Sequence, residues 1–131
     1  ISDKQNRKKL LILVPLVILL SDQIGAQIKN LELRDRPWFY YGNDVVNHLG
    51  GNGGKHKSFP SNHSANLIGL SVIFSYIYNN KKKYFLIIAG LIGFSRVYIG
   101  VHFPIDVISG AIIGISMSLL LIFCWTKINS N

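Results

Sequence analysis

Residues Ser95–Trp125 read S-R-V-Y-I-G-V-H-F-P-I-D-V-I-S-G-A-I-I-G-I-S-M-S-L-L-L-I-F-C-W. From Pro104 onward the stretch approaches the roughly 20 predominantly apolar residues that a helix needs to cross a bilayer. Pro104 suits the first turn of that helix, where its missing N–H is not needed. Gly110 and Gly114 form a G-x-x-x-G, which reads as a face for close helix packing. The ionisable groups lie at one end: Arg96, His102 and Asp106 sit at or before the start of the span. Such groups are costly at the border of lipid unless they pair or hold something there. The stretch thus reads as a membrane helix with polar chemistry at its mouth.

Three further apolar stretches precede it: Leu10–Ile28, unbroken from Leu10 to Leu20 around Pro15, then Ser61–Tyr78 and Tyr84–Gly100. With Pro104–Trp125 they predict an all-α, polytopic transmembrane helix bundle of four spans, a single membrane-embedded domain over residues 1–131. The chain begins at Ile1, which leaves room for an earlier span, and no signal peptide is recognised in it. Lys plus Arg number 14 against 6 Asp plus Glu, a formal +8, and 49% of residues are hydrophobic. Basic charge alone would admit a nucleic-acid partner. Interleaved with four apolar stretches, it argues for a lipid bilayer and against nucleic acid. Cys124 is the single cysteine, which excludes an internal disulfide and a cysteine-rich metal site.

The four spans sort the basic residues by side. Lys4, Arg7, Lys8, Lys9, Lys81, Lys82, Lys83 and Lys127 fall on one side, and Lys29, Arg34, Arg36, Lys55, Lys57 and Arg96 on the other. Setting aside Lys29, Arg36 and Arg96, which have a chemical reason to be where they are, leaves eight against three. The first side is then cytoplasmic by the positive-inside rule. The expected location is the inner (cytoplasmic) membrane, multi-pass, with the polar clusters facing the periplasm or cell exterior. Trp38, Phe39, Tyr40 and Tyr41 read as an interfacial aromatic belt. The connection Trp38–Phe59, with Gly42, Gly50, Gly51, Gly53 and Gly54, reads equally as a mobile loop over a site or as a plain polar connector. Asp22, inside the first span, reads either as a partner for a site cation or as an interhelical hydrogen bond.

Three clusters carry the chemistry: K-N-L-E-L-R-D-R-P at Lys29–Pro37, P-S-N-H at Pro60–His63, and S-R-V-Y-I-G-V-H-F-P-I-D at Ser95–Asp106. Phosphoryl transfer spreads negative charge over three oxygens, so it rests on fixed cations and N–H donors. Lys29, Arg36 and Arg96 offer one ammonium and two guanidinium forks, the latter suited to bidentate phosphate contacts. Each alone fits headgroup anchoring as well. Ser61 is a good helix N-cap, so Asn62, His63 and Ser64 would begin a helix whose free N–H groups make an anion site. An ordinary cap beside a bystander histidine is the plainer alternative. His102 precedes Asp106 by four residues, a spacing that lets the carboxylate reach one ring nitrogen and leave the other free to attack. Asp106 as a mere helix cap, with His102 at the interface, remains open on spacing alone.

Taken together, the clusters resemble the type 2 phosphatidic acid phosphatases, or lipid phosphate phosphatases, with the pattern K-x6-R-P, P-S-G-H and S-R-x5-H-x3-D. Lys29–Pro37 and Ser95–Asp106 fit in full; the second part departs at Asn62, where the family has glycine. The resemblance implies that His102 is the nucleophile, forming a phosphohistidine, and that Asp106 orients it. It implies that His63 protonates the leaving oxygen and then activates water. Lys29, Arg36, Ser61, Asn62 through its backbone N–H, Ser95 and Arg96 would hold the phosphate. No cofactor and no metal are expected. His48 and His56 match no position and read as loop residues.

The expectation is a metal-independent integral membrane phosphatase acting on a lipid phosphomonoester or diphosphate. Undecaprenyl diphosphate and the lipid A 1-phosphate come slightly ahead of phosphatidylglycerophosphate and phosphatidic acid, because both present phosphate at the periplasmic face. The vanadate-dependent haloperoxidases share the pocket pattern, but they are soluble, which four spans oppose. A catalytically inactive lipid-phosphate-binding protein is the other class; it would need the cations but neither histidine.

Overall fold

A computed structural model describes residues 3–42, 44–46, 48–49 and 54–129, with the side chain of Asp3 outside the description. Gly50, Gly51 and Gly53 of the glycine-rich connection lie outside the described residues. The elements are α1 (Asp3–Lys29), α2 (Pro37–Tyr41), α3 (Asn62–Ile77), a 3-10 turn (Asn79–Lys81), α4 (Lys82–Tyr98) and α5 (Pro104–Ile128). Among the described residues the fold is helical, with one isolated backbone bridge between Arg34 and Lys57. Two helices, α1 and α5, are long and apolar enough to cross a membrane. Helix α3, with 16 residues, and α4, with 17, are shorter.

The helices start and stop where local chemistry dictates. The Ser61 hydroxyl caps α3 by accepting from the Ser64 N–H at 3.3 Å. Pro104 opens α5, and the Asp106 carboxylate in its first turn accepts the Phe103 N–H at 2.9 Å. Beyond α4 the chain reverses through Gly100 at φ +72°, a left-handed conformation that a Cβ would strain.

Helix α3 is the centre, packed against α1, α4 and α5. Its contact with α5 is made almost backbone to backbone. A Cβ at Gly110 would collide with the Ser61 carbonyl, and one at Gly114 with the Ala65 carbonyl and the Gly69 nitrogen. Hydroxyls stitch the same seam: Ser64 Oγ donates to Val107 O at 2.6 Å, and Ser118 Oγ to Gly69 O at 2.9 Å. The G-x-x-x-G is therefore the packing face that the sequence suggested.

Burial is inverted relative to a water-soluble domain. Ser21, Ser64, Ser71, Ser75, Ser118 and Ala65 are buried, while Ile108, Ile112, Leu119 and Phe123 of α5 and Ile87, Leu91 and Phe94 of α4 are exposed. Small residues inside let helices approach, and large apolar ones outside suit hydrocarbon. The compact apolar core (Leu13, Val17, Ile73 and Ile77) lies at the end away from the clusters.

The seam yields a sharp expectation. Gly114→Val should lower stability by about 1–3 kcal/mol or more through overpacking. Gly90→Ala, inside α4 where nothing lies within 4 Å, should not lower the thermal unfolding transition in detergent and should raise it slightly, because alanine is the better helix former.

Candidate functional site

The close seam between α3 and α5 brings two helix starts side by side. The Ser61 N–H donates to the Asp106 carbonyl at 3.0 Å, which ties the second cluster to the third. Because Ser61 Oγ engages the Ser64 N–H, the N–H groups of Asn62 and His63 remain at the helix mouth, where an N-terminus favours anions. His63 stands exposed on this first turn. The charges of Arg96, Asp22, Arg36 and Lys29 all act on its ring, so the three clusters converge on one place.

Lys29, the last residue of α1, is aimed by two carbonyls: Nζ donates to Pro60 O at 2.5 Å and to Lys57 O at 3.1 Å. Arg36 is held in the same way, Nε on Gly54 O and Nη1 on Val101 O, each at 3.0 Å. Arg96 lies in the last turn of α4, and its carbonyl accepts the N–H groups of Val101 and His102 at 3.3 Å each. Ser95 Oγ donates to Ile92 O at 2.7 Å in its own helix and accepts Arg96 Nε at 3.4 Å. The cations are thus oriented mainly by neutral acceptors, which keeps their charge available.

His102 is buried in the turn before α5. Its Nδ1 lies 3.8 Å from Asp106 Oδ2, a charge contact longer than a hydrogen bond, and is buried without another partner among the described residues. Such contacts often tighten only when a substrate is bound. Burial pushes the imidazole below its ordinary value; Asp106 pulls the other way, while Arg36 and Lys29 add to the depression. At neutral pH the ring is therefore uncharged with a free lone pair. Burial also lowers the Arg36 guanidinium from its ordinary value, against the pull of Asp106; arginine at such a position stays charged.

Asp106 is fully buried and does more than cap α5. Ser58 Oγ donates to Oδ2 at 2.6 Å, and Arg34 Nη1 meets Oδ1 at 2.9 Å. Neither Arg34 nor Ser58 was among the residues expected from the motifs. Arg34 had a visible signal, a second arginine two residues before Arg36; Ser58 had none. Part of the glycine-rich connection returns to the site: Arg36 N–H donates to Lys55 O at 2.8 Å and Ser58 N–H to Arg34 O at 3.1 Å. His56 pairs with Asp35, Nδ1 to Oδ1 at 2.5 Å, and His48 stacks on Trp38. A cavity of about 720 Å³ opens beside Arg34 and Phe103, lined by neither histidine of the motifs.

Asn62 directs its side chain away from the mouth. Its Nδ2 donates to Asp22 Oδ1 at 3.2 Å, as does Asn66 Nδ2 at 2.9 Å. Asp22 thus makes interhelical hydrogen bonds, the second of its two readings. The amide lies over Gly25, where any Cβ would collide with it.

These features set several cations around the start of α3 and, close by, a buried histidine that faces a carboxylate. A family model described as the PAP2 superfamily matches residues 10–130, and the chain belongs to that family. It is 35% identical over 109 residues to lipid A 4'-phosphatase of Porphyromonas gingivalis, covering 78% of this chain and 45% of that protein. It is 42% identical over 77 residues to phosphatidylglycerophosphatase B of Bacillus subtilis, covering 50% and 36%. Undecaprenyl-diphosphatase BcrC of Bacillus subtilis is 36% identical over 65 residues, covering 48% and 33%. The crystal structure of Aquifex aeolicus LpxE superposes with a TM-score of 0.71 at 30% identity, covering 90% of this chain and 67% of that one. The chain spans a third to just under half the length of these three curated relatives.

Asp22 generates a stability expectation. Asp22→Ala leaves two amide donors between helices without an acceptor and should cost about 1–3 kcal/mol in detergent unfolding. Asn62→Gly removes one donor together with its need and should cost less.

Proposed function

We propose that this chain is the membrane-embedded catalytic domain of a lipid phosphatase, residues 1–131, that removes a terminal phosphate from a lipid phosphomonoester or diphosphate. The observation that carries the reading is that Lys29 and Arg36 face both the exposed His63 and a buried His102 backed by Asp106, with Arg96 facing His63 as well. A lipid-phosphate scaffold needs the cations but gains nothing from a desolvated imidazole facing a carboxylate. The family and the names of the three curated relatives described above, each a phosphatase by name, support the same class.

In this reading His102 Nε2 attacks phosphorus and Asp106 stabilises the cationic ring that forms. His63 gives a proton to the leaving oxygen, then takes one from the water that attacks the phosphohistidine. Lys29, Arg36, Ser95, Arg96, Ser61 and the N–H of Asn62 receive the phosphate oxygens. Their fixed charge performs the stabilisation that a metal provides in other phosphatases, so the reaction is metal-independent.

All four of the long helices cross or enter the bilayer, α3 and α4 as shorter spans; the apolar outer faces of α4 and α5 support this. The basic turn Lys81–Lys83 is cytoplasmic, and the pocket opens to the periplasm or cell exterior of the inner membrane. Undecaprenyl diphosphate and the lipid A 1-phosphate are the first candidates for substrate. Matched relatives carry both activities in their names, undecaprenyl-diphosphatase BcrC and lipid A 1-phosphatase of Rhizobium johnstonii.

His102→Ala should reduce phosphate release from these lipids in detergent micelles by at least about 1,000-fold; unchanged release sinks the mechanism. Protonation removes the attacking lone pair, and the folded protein disfavours that protonation. The acidic limb of kcat/KM should therefore have its midpoint below the ordinary histidine value of about 6.5. A midpoint above it contradicts the buried, neutral nucleophile.

A further inference from the structure

The Asp106 carboxylate is grasped from three separate segments. Arg34, in the extended stretch after α1, holds Oδ1 at 2.9 Å. Ser58, fully buried in the chain returning to α3, and the Phe103 N–H before α5 hold Oδ2 at 2.6 and 2.9 Å. The Arg34 guanidinium also lies near two rings, its Cζ 5.7 Å from the Phe59 centroid and 5.6 Å from that of Phe103. Resting on the phosphatase reading above, we propose that Arg34 and Ser58 are positioning residues that fix the Asp106 carboxylate with Oδ2 facing the His102 ring.

The chemistry needs both restraints. A carboxylate has two equivalent oxygens and turns readily about its last bond, so one held at a single point would not keep Oδ2 toward Nδ1. Donors on both oxygens remove that freedom. The second need is electrostatic. A buried carboxylate whose nearest charged partner were His102 would draw a second proton onto the ring and silence the nucleophile. Arg34 balances that charge from the far side. Asp106 can then orient the neutral imidazole and still stabilise the positive charge that grows as Nε2 bonds to phosphorus. The other charges facing His102 are Arg36, from the same extended stretch as Arg34, and Lys29 from α1. Arg96 from α4 acts with them on His63 of α3 in the same pocket. All three are cations, so Arg34 is placed to act on the ring through Asp106 rather than directly.

The test measures phosphate release from undecaprenyl diphosphate, lipid A and phosphatidic acid in detergent micelles by the unmodified protein, Arg34→Ala, Arg34→Lys and Ser58→Ala. Orthovanadate binding to each reports whether the pocket is intact. Arg34→Ala should lower kcat by about 10- to 100-fold, the scale on which outer-shell partners act, with KM within about twofold. Its acidic limb should move to higher pH. Arg34→Lys, which keeps the charge without the fork, should return the limb to its original position and recover part of kcat. Ser58→Ala should lower kcat and leave the limb in place. Unaltered kcat and pH profile in both Arg34→Ala and Ser58→Ala overturn the proposal. So does a loss of kcat that parallels lost orthovanadate binding and is not recovered by Arg34→Lys, since that marks a purely structural role. No turnover of any of the three lipids by the unmodified protein overturns the phosphatase reading instead, and the positioning role falls with it.

Discussion

The close approach of α3 and α5 is the constraint on which the rest depends. Glycines 69, 110 and 114 leave the two backbones in contact, and no side chain of ordinary size fits between them. The result is a register. With Ser61 N–H on the Asp106 carbonyl, the N-terminus carrying His63 and the turn carrying His102 open at the same level. A shift of one helical residue along either helix, about 1.5 Å, would part them. Packing along the helix seam thus sets geometry at the mouth.

Around that mouth the charges follow a consistent logic. Lys29 and Arg36 are oriented by the carbonyls of Pro60, Lys57, Gly54 and Val101, not by carboxylates. A carbonyl aims a cation without cancelling it, so the pocket retains net positive charge while its donors stay in place. The buried anion is set behind His102 instead, where it meets Arg34 and Ser58. This separation, with cations at the front on neutral anchors and an anion at the back on one guanidinium, a hydroxyl and an N–H, is what the proposed reaction of His102 with an anionic substrate would require.

The sequence was informative where physics acts locally. Apolar runs, Pro104 before a helix, the Ser61 cap and the glycine pair at 110 and 114 each express a rule that holds within a few residues, and each stands in the fold as read. The four-residue spacing of His102 and Asp106 placed them as neighbours, though 3.8 Å apart rather than hydrogen-bonded. Arg34 showed only as a second arginine near Arg36, and Ser58 not at all, because their roles lie in contacts 72 and 48 residues away along the chain. The return of residues 54–58 to the stretch around Arg34 and Arg36 was hidden for the same reason: glycine-rich chain carries no periodicity that names its partner. Helix length was the other weak point, since a run of apolar residues marks a helix well but its ends poorly.

Asn62 shows how a departure from a motif can be absorbed. At the start of α3 a side chain in the family's glycine position has two directions to go: toward the surrounding cations, where it would crowd the proposed phosphate, or toward α1. Here it goes toward α1, because Gly25 vacates the space and Asp22 supplies an acceptor. Asn66, one turn further along α3, binds the same carboxylate, so the amide joins an interhelical link that already has a second member. The backbone N–H of Asn62 stays at the helix mouth, where a glycine would also present it. The substitution changes what fastens α1 to α3 and leaves the surface offered to an anion as the motif would build it.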